Sequence, residues 1–138
     1  MKTRKSSGLA AGLILTLAVA GCSGDPDMIR AVPAAGTVTY KGKPLETGNI
    51  QFHAEKGRSA SGAIKDGKFV LTTYEDGDGA VPGKHAVVVS AYKEVKGAGG
   101  TETEQVLIVP EKYANAASSG IAVEIPAAGK QDIEIKLE

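Results

Sequence analysis

The stretch Lys65-Asp66-Gly67-Lys68-Phe69-Val70-Leu71 contains the strongest short-range signal for β structure in this chain. An Asp-Gly pair between two strand-like runs is typical of a tight hairpin turn, because both residues tolerate positive φ. After the turn, Phe69 and Leu71 alternate with polar or outward positions, which is the pattern of a half-buried strand. The stretch therefore predicts a hairpin between residues 59–65 and the strand that begins at Lys68.

The same period of two recurs on both sides of this hairpin. No stretch carries an apolar helical stripe long enough to compete with it. Three consecutive valines in residues 84–92 indicate a strand buried on both faces, which we expect to be the central one. Pro110 is expected to open a single helical turn, and residues 127–130 are expected to form the last hairpin. The alternating apolar positions are Val38, Tyr40, Ile50, Phe52, Ala54, Ile121, Val123, Ile125, Ile133, Ile135 and Leu137. Seven or eight short strands separated by turns predict an all-β fold, a single antiparallel β-sandwich.

Length and composition restrict the class of protein. The chain has 138 residues, 18 glycines, no tryptophan and 16 residues of each charge sign. Residues 1–21 carry three of the basic residues, so the remaining 117 residues have 13 basic and 16 acidic side chains. A slightly acidic body without a basic cluster argues against nucleic acid as a partner.

The amino terminus has the features of a secretory signal. Lys2, Arg4 and Lys5 precede an apolar run over residues 9–20, which ends in small residues. This order is typical of a signal peptide, and the run is too short and wrongly flanked for a membrane-spanning helix. We expect a signal helix over residues 1–21 and a proline-containing linker over residues 22–35. One folded domain over residues 36–138 follows.

The stretch Val19-Ala20-Gly21-Cys22 resembles the lipobox of bacterial lipoproteins. The resemblance implies that Cys22 becomes the first mature residue and carries a diacylglycerol, so that the protein is membrane-bound through this lipid. Ser23, rather than aspartate, favours the outer membrane by the sorting habits of that class. The alternative is a plain secretory peptide followed by one reactive thiol, since Cys22 is the chain's single cysteine.

The body resembles the transthyretin-like, carboxypeptidase-regulatory-like domains. The resemblance rests on the opening Gly36-Thr37-Val38-Thr39-Tyr40-Lys41-Gly42-Lys43-Pro44-Leu45, on Asp66-Gly67-Lys68-Phe69-Val70-Leu71 and on Val81-Pro82-Gly83-Lys84-His85-Ala86-Val87-Val88-Val89. It covers residues 36–92. It implies a seven-stranded Greek-key sandwich, generally non-catalytic, that serves as an accessory or adhesion-like module.

Few side chains suggest chemistry. Glu75, Asp76 and Asp78 lie in a glycine-rich loop and form a candidate calcium site, although the spacing lacks the ligand series of an EF-hand. A solvated acidic turn is the alternative. The two histidines, His53 and His85, have no third ligand at a diagnostic spacing, so we expect ordinary surface or rim histidines.

Three tyrosines, Tyr40, Tyr92 and Tyr113, suggest either a sugar or peptide platform or simply core aromatics. No catalytic residues and no cofactor are predicted.

The sequence thus predicts a lipid-anchored cell-envelope protein without enzymatic activity, in a structural or binding role. An envelope protein or a glycan is the expected partner. The alternative is a small-ligand or calcium-binding carrier at the envelope.

Overall fold

The computed structural model describes residues 28–138. The predicted signal helix, the predicted lipobox at residues 19–21 and Cys22 lie outside the described residues. Within residues 28–138, no helix is both long and apolar enough to cross a membrane.

The described chain forms ten strands and one 3-10 turn, which confirms an all-β fold. The strands are β1 (Ala34–Tyr40), β2 (Lys43–Pro44), β3 (Thr47–Ala54), β4 (Ala60–Lys65), β5 (Lys68–Val70), β6 (Gly83–Ser90), β7 (Tyr92–Lys96), β8 (Thr103–Leu107), β9 (Ala122–Ile125) and β10 (Lys130–Leu137). The predicted helical turn is confirmed as the 3-10 turn Glu111–Ala114, which begins one residue later than predicted, with Pro110 at its N-cap.

Eight of the strands form one sheet in the order β10-β1-β5-β4-β3-β6-β9, with β2 paired to β1. The pairings are antiparallel except that β1 and β10 run parallel, with Val38 opposite Ile135. Strands β7 and β8 form a separate two-stranded ribbon.

The main sheet must curl, because its two outermost strands are consecutive in the chain. In a flat sheet, β9 and β10 would lie six spacings apart, about 29 Å. The loop between them, residues 126–129, spans at most about 18 Å. The expected last hairpin at residues 127–130 is therefore wrong. This loop crosses from one edge of the sheet to the other, which allows β10 to pair with β1 in parallel.

The predicted hairpin at Asp66-Gly67 is confirmed. Asp66 and Gly67 have φ values of 51° and 75°, as a two-residue turn between β4 and β5 requires. Phe69 and Leu71 are buried, whereas Val70 between them is 56% exposed. The two strands pair as a ladder only at Lys65 and Lys68, with one further bridge between Ser61 and Thr72, so the sheet is weakest at this point.

The core contains the inward side chains of all the longer strands. Val87, Val88 and Val89 are all buried, as expected for a strand covered on both faces. The expectation that this strand is the central one is wrong, because β6 lies between β3 and the edge strand β9. Phe52 on β3 and Phe69 on β5, strands on either side of β4, pack against each other in the core, with ring centroids 6.0 Å apart. The folded body begins earlier than residue 36: Val32 already forms a bridge with Ala80, and Ala34 and Ala35 belong to β1.

The strand directions give the body two distinct ends. At the entry end, the first described residues meet the loops 55–59, 71–82 and 126–129. Lys130 N, for example, donates to Pro33 O at 2.8 Å. At the opposite end, which we call the arm end, the turns at 41–42 and 66–67 lie with residues 91–121. There Asp66 N donates to Glu46 O at 2.9 Å.

Candidate functional site

The acidic loop is organised by one of its own carboxylates. The Asp78 side chain accepts hydrogen bonds from the backbone amides of Thr73 at 2.7 Å, Tyr74 at 3.0 Å and Glu75 at 3.0 Å. Thr73 adds a bond from its hydroxyl to the carbonyl oxygen of Gly79, at 2.8 Å. Both oxygens of Asp78 therefore serve the loop backbone.

The electrostatics of Asp78 agree with this role. Partial burial raises the pKa of Asp78, and the hydrogen bonds from the amides of Thr73, Glu75 and Tyr74 lower it by more. The net pKa lies below the ordinary 3.8, so Asp78 is ionised at neutral pH and holds the loop closed through its hydrogen bonds.

The candidate calcium site is not assembled in the described part of the chain. Glu75 and Asp76 are exposed, and no three histidine, cysteine, aspartate or glutamate side chains in residues 28–138 lie close enough together to hold a metal ion. The geometry favours the alternative interpretation, an acidic turn closed by hydrogen bonds.

His85 departs from expectation. It is 2% exposed rather than at the surface or rim, and its Nε2 donates to the carbonyl oxygen of Val81 at 2.7 Å. Its ring packs against Phe52 with centroids 5.7 Å apart, and its Nδ1 has no partner among residues 28–138. The reason is register: His85 shares the inward face of β6 with Val87 and Val89. His53 does lie on the exposed face of β3, as predicted.

The three tyrosines do not share one role. Tyr113 is buried, and its hydroxyl accepts a hydrogen bond from Glu138 N at 3.1 Å, so it belongs to the core. Tyr92, at the base of the β7–β8 ribbon, is 47% exposed. Tyr40 is half-buried and lines a cleft.

That cleft, the arm-end cleft, has a volume of about 450 Å³. It lies between the β1–β3 connection and the base of the ribbon, so it joins segments about 50 residues apart in the chain. Its lining residues are Tyr40, Lys41, Lys43, Pro44, Leu45, Glu46, Thr47, Lys93 and Ile108. The sequence does not predict this cleft. The sequence signal available was the pair of lysines at the 41–44 turn, but nothing local places Lys93 beside them.

The β7–β8 ribbon, residues 92–107, projects from the arm end. Nearly all of its residues are exposed, and its strands pair with each other from Tyr92–Leu107 to Lys96–Thr103. A two-stranded ribbon is only marginally stable alone. It is joined to the body through Ala91, whose carbonyl oxygen accepts from Ile108 N at 2.9 Å.

Comparisons with known proteins add little. No family model matches the chain, and no curated protein matches it. Among solved structures, a 9R-lipoxygenase from Cyanothece PCC8801 is similar over 83% of this chain and 17% of its own, with 12% identity and a TM-score of 0.33. The chain thus spans about a sixth of that enzyme, and a likeness this low carries no argument about fold or activity.

Proposed function

We propose that the protein is a lipoprotein anchored through Cys22, with a non-catalytic body in a structural or binding role at the cell envelope. The observation that carries the proposal is that the two ends of the body differ. The chain enters at one end, and the exposed ribbon and the arm-end cleft lie at the other.

This two-ended arrangement suits a protein held by a short tether at its entry end. From Cys22 to Met28 there are six Cα–Cα steps, which reach about 22 Å at most. A lipid on Cys22 would hold the entry end close to the bilayer. The seven residues of β1 add about 23 Å. The arm end would then face away from the membrane, where a protein or glycan of the envelope is accessible.

We propose further that the curled sheet is a Greek-key sandwich of the transthyretin-like type. Two observations support this. The β4–β5 hairpin is a weak point at which the sheet can fold into two layers, and Phe52 and Phe69, from the strands on either side of β4, pack against each other in the core. A sandwich encloses its core in this way, between two layers of strands.

The non-catalytic role rests on how the polar side chains are used. His85 is enclosed in the core, and both oxygens of Asp78 are engaged by backbone amides. Neither presents a group to a substrate.

The intact mass of the mature protein from a membrane extract tests the anchor. We expect a chain that begins at Cys22 and carries diacylglyceryl or triacyl mass, and a Cys22→Ala variant that is neither lipidated nor membrane-bound. An unmodified cysteine in the soluble fraction would refute the anchor. Density separation of the membranes then tests the preference for the outer membrane.

A further inference from the structure

We propose that the arm-end cleft binds an acidic saccharide, a sugar whose ring carries a carboxylate. The inference deepens the proposed function by naming a ligand class for the outward-facing end. It rests on the proposed function only for the place where the protein meets the ligand, which is the cell envelope. The binding itself depends on the cleft alone.

The first observation is charge. Lys41, Lys43 and Lys93 surround the cleft and are exposed, against the single carboxylate of Glu46. None of these four side chains forms an ion pair with another of the described residues. Three ammonium groups around one small volume therefore leave an excess of positive charge, which attracts an anion.

The second observation is that part of the cleft is fixed by backbone contacts. Lys41 adopts a φ of 50° in a tight turn with Gly42, and its amide donates to Leu137 O at 2.9 Å. Leu45 N donates to Val38 O at 3.0 Å on the other side of the turn. The turn that carries Lys41 and Lys43 is thus held against the sheet before any ligand arrives, which lowers the cost of binding.

The third observation is the apolar surface between the lysines. Tyr40, Pro44 and Ile108 contribute an aromatic ring and two aliphatic groups, and the Lys41 ammonium lies over one face of that ring, 5.3 Å from its centre. A sugar ring combines carbon-bound hydrogens, which stack on an aromatic ring, with a carboxylate that the ammonium groups attract. A bare inorganic anion would leave this apolar surface unused.

A peptide strand fits the same place less well. Recognition of an extended peptide by strand addition needs a free row of backbone donors and acceptors. Of the strands at this cleft, β2 has two residues, one of which is Pro44 without an amide hydrogen, and the longer β7 contributes only Lys93 to the lining. The volume of about 450 Å³ also lies in the range of small-ligand sites rather than of a protein interface.

The test is a titration of the full mature chain in detergent with a trimer of galacturonic acid. A neutral galactose trimer and inorganic phosphate serve as comparison ligands. We expect saturable binding of the acidic trimer alone, weakened by salt because exposed charges are screened. In the wild type, backbone amide resonances of Tyr40, Lys41 and Lys93 should move together.

Two matched double variants locate the binding. Lys41→Gln with Lys93→Gln should raise the dissociation constant at least tenfold. Lys56→Gln with Lys84→Gln removes the same charge at the entry end, from exposed side chains, and should change it less than twofold. The melting temperatures of both should match the wild type.

Equal weakening by both double variants would overturn the proposal, because it would indicate general charge attraction. Equal binding of phosphate, or no binding of the acidic trimer, would also overturn it. The mass of the same preparation reports separately on the anchor at Cys22, so failure of this proposal and failure of the lipoprotein proposal are distinguishable.

Discussion

The Nε2 atom of His85 lies 2.7 Å from the carbonyl oxygen of Val81, four residues earlier in the chain. Since a carbonyl oxygen only accepts, Nε2 carries the hydrogen. In the neutral ring Nδ1 is then an acceptor, and it has no donor among residues 28–138. The ring thus ties the end of the acidic loop to β6 while it fills core volume beside Phe52.

Replacing this ring should be costly. We expect His85→Ala to lower the free energy of unfolding by about 2–4 kcal/mol, because it leaves a cavity and removes the donor to Val81. His85→Phe still leaves the Val81 carbonyl without its donor. Because it keeps the ring volume and leaves no cavity, it should lower the free energy of unfolding by less than His85→Ala does. Denaturant unfolding monitored by circular dichroism measures both.

The matched control is the chain's second histidine. His53 is exposed on the outer face of β3, and His53→Ala should change stability by less than about 0.5 kcal/mol. Similar losses from both histidines would contradict the buried position of His85.

The acidic loop should make the stability of the domain depend on pH in the acidic range. The pKa of Asp78 lies below its ordinary 3.8, so the folded state favours the carboxylate more than the unfolded chain does. This contribution is complete above pH 3.8 and is lost as the pH falls through the lower, folded value. Asp78→Asn should therefore destabilise the protein by roughly 1 kcal/mol at pH 7. The difference from the wild type should shrink below about pH 4, where the wild-type carboxyl also becomes neutral.

Asp76→Asn removes a charge two residues away, from an exposed side chain that accepts no backbone hydrogen bond in the described chain. It should leave stability nearly unchanged across the same pH series. A difference for Asp78→Asn that stays constant from pH 7 to pH 3 would show that the hydrogen bonds do not depend on the charge.

The parallel pairing of β1 and β10 depends on a missing side chain. A Cβ placed on Gly36 would overlap the backbone carbonyl oxygen of Ile133 on β10. We expect Gly36→Ala to cost about 1–3 kcal/mol, because backbone must move to make room. Gly99→Ala, in the ribbon turn with nothing within 4 Å, is the matched control and should be neutral or slightly stabilising. Thermal unfolding of the two variants side by side decides the matter, and an unchanged melting temperature for Gly36→Ala would contradict this close approach.

These positions show what sequence patterns can and cannot give. The Asp66-Gly67 turn is a local property, and so is the alternation of the buried Ile133 and Ile135 with polar neighbours. The sequence predicts both correctly. The partner of β10 is not local, because it depends on how the sheet curls and on which edge the 126–129 loop can reach. The predicted surface position of His85 is wrong because histidine occurs both in cores and at surfaces. Only the register of β6 decides which face its side chain is on. The arm-end cleft was missed for the same reason as the β1–β10 pairing, since its two walls are distant in the chain.

The entry end offers a last prediction. The Tyr74 hydroxyl donates to the carbonyl oxygen of Ile29 at 3.0 Å, and the Arg58 guanidinium lies 5.7 Å from the Tyr74 ring centre. Without that hydroxyl, the residues before the Val32 bridge lose a contact to the body and should open locally more often. Tyr74→Phe should therefore speed tryptic cleavage after Arg30 several-fold, measured by mass spectrometry of the whole protein, while global stability falls by less than about 1 kcal/mol. Tyr92→Phe, whose exposed hydroxyl makes no hydrogen bond within residues 28–138, is the control, and equal cleavage rates in the two variants would show that Tyr74 does not hold the entry segment.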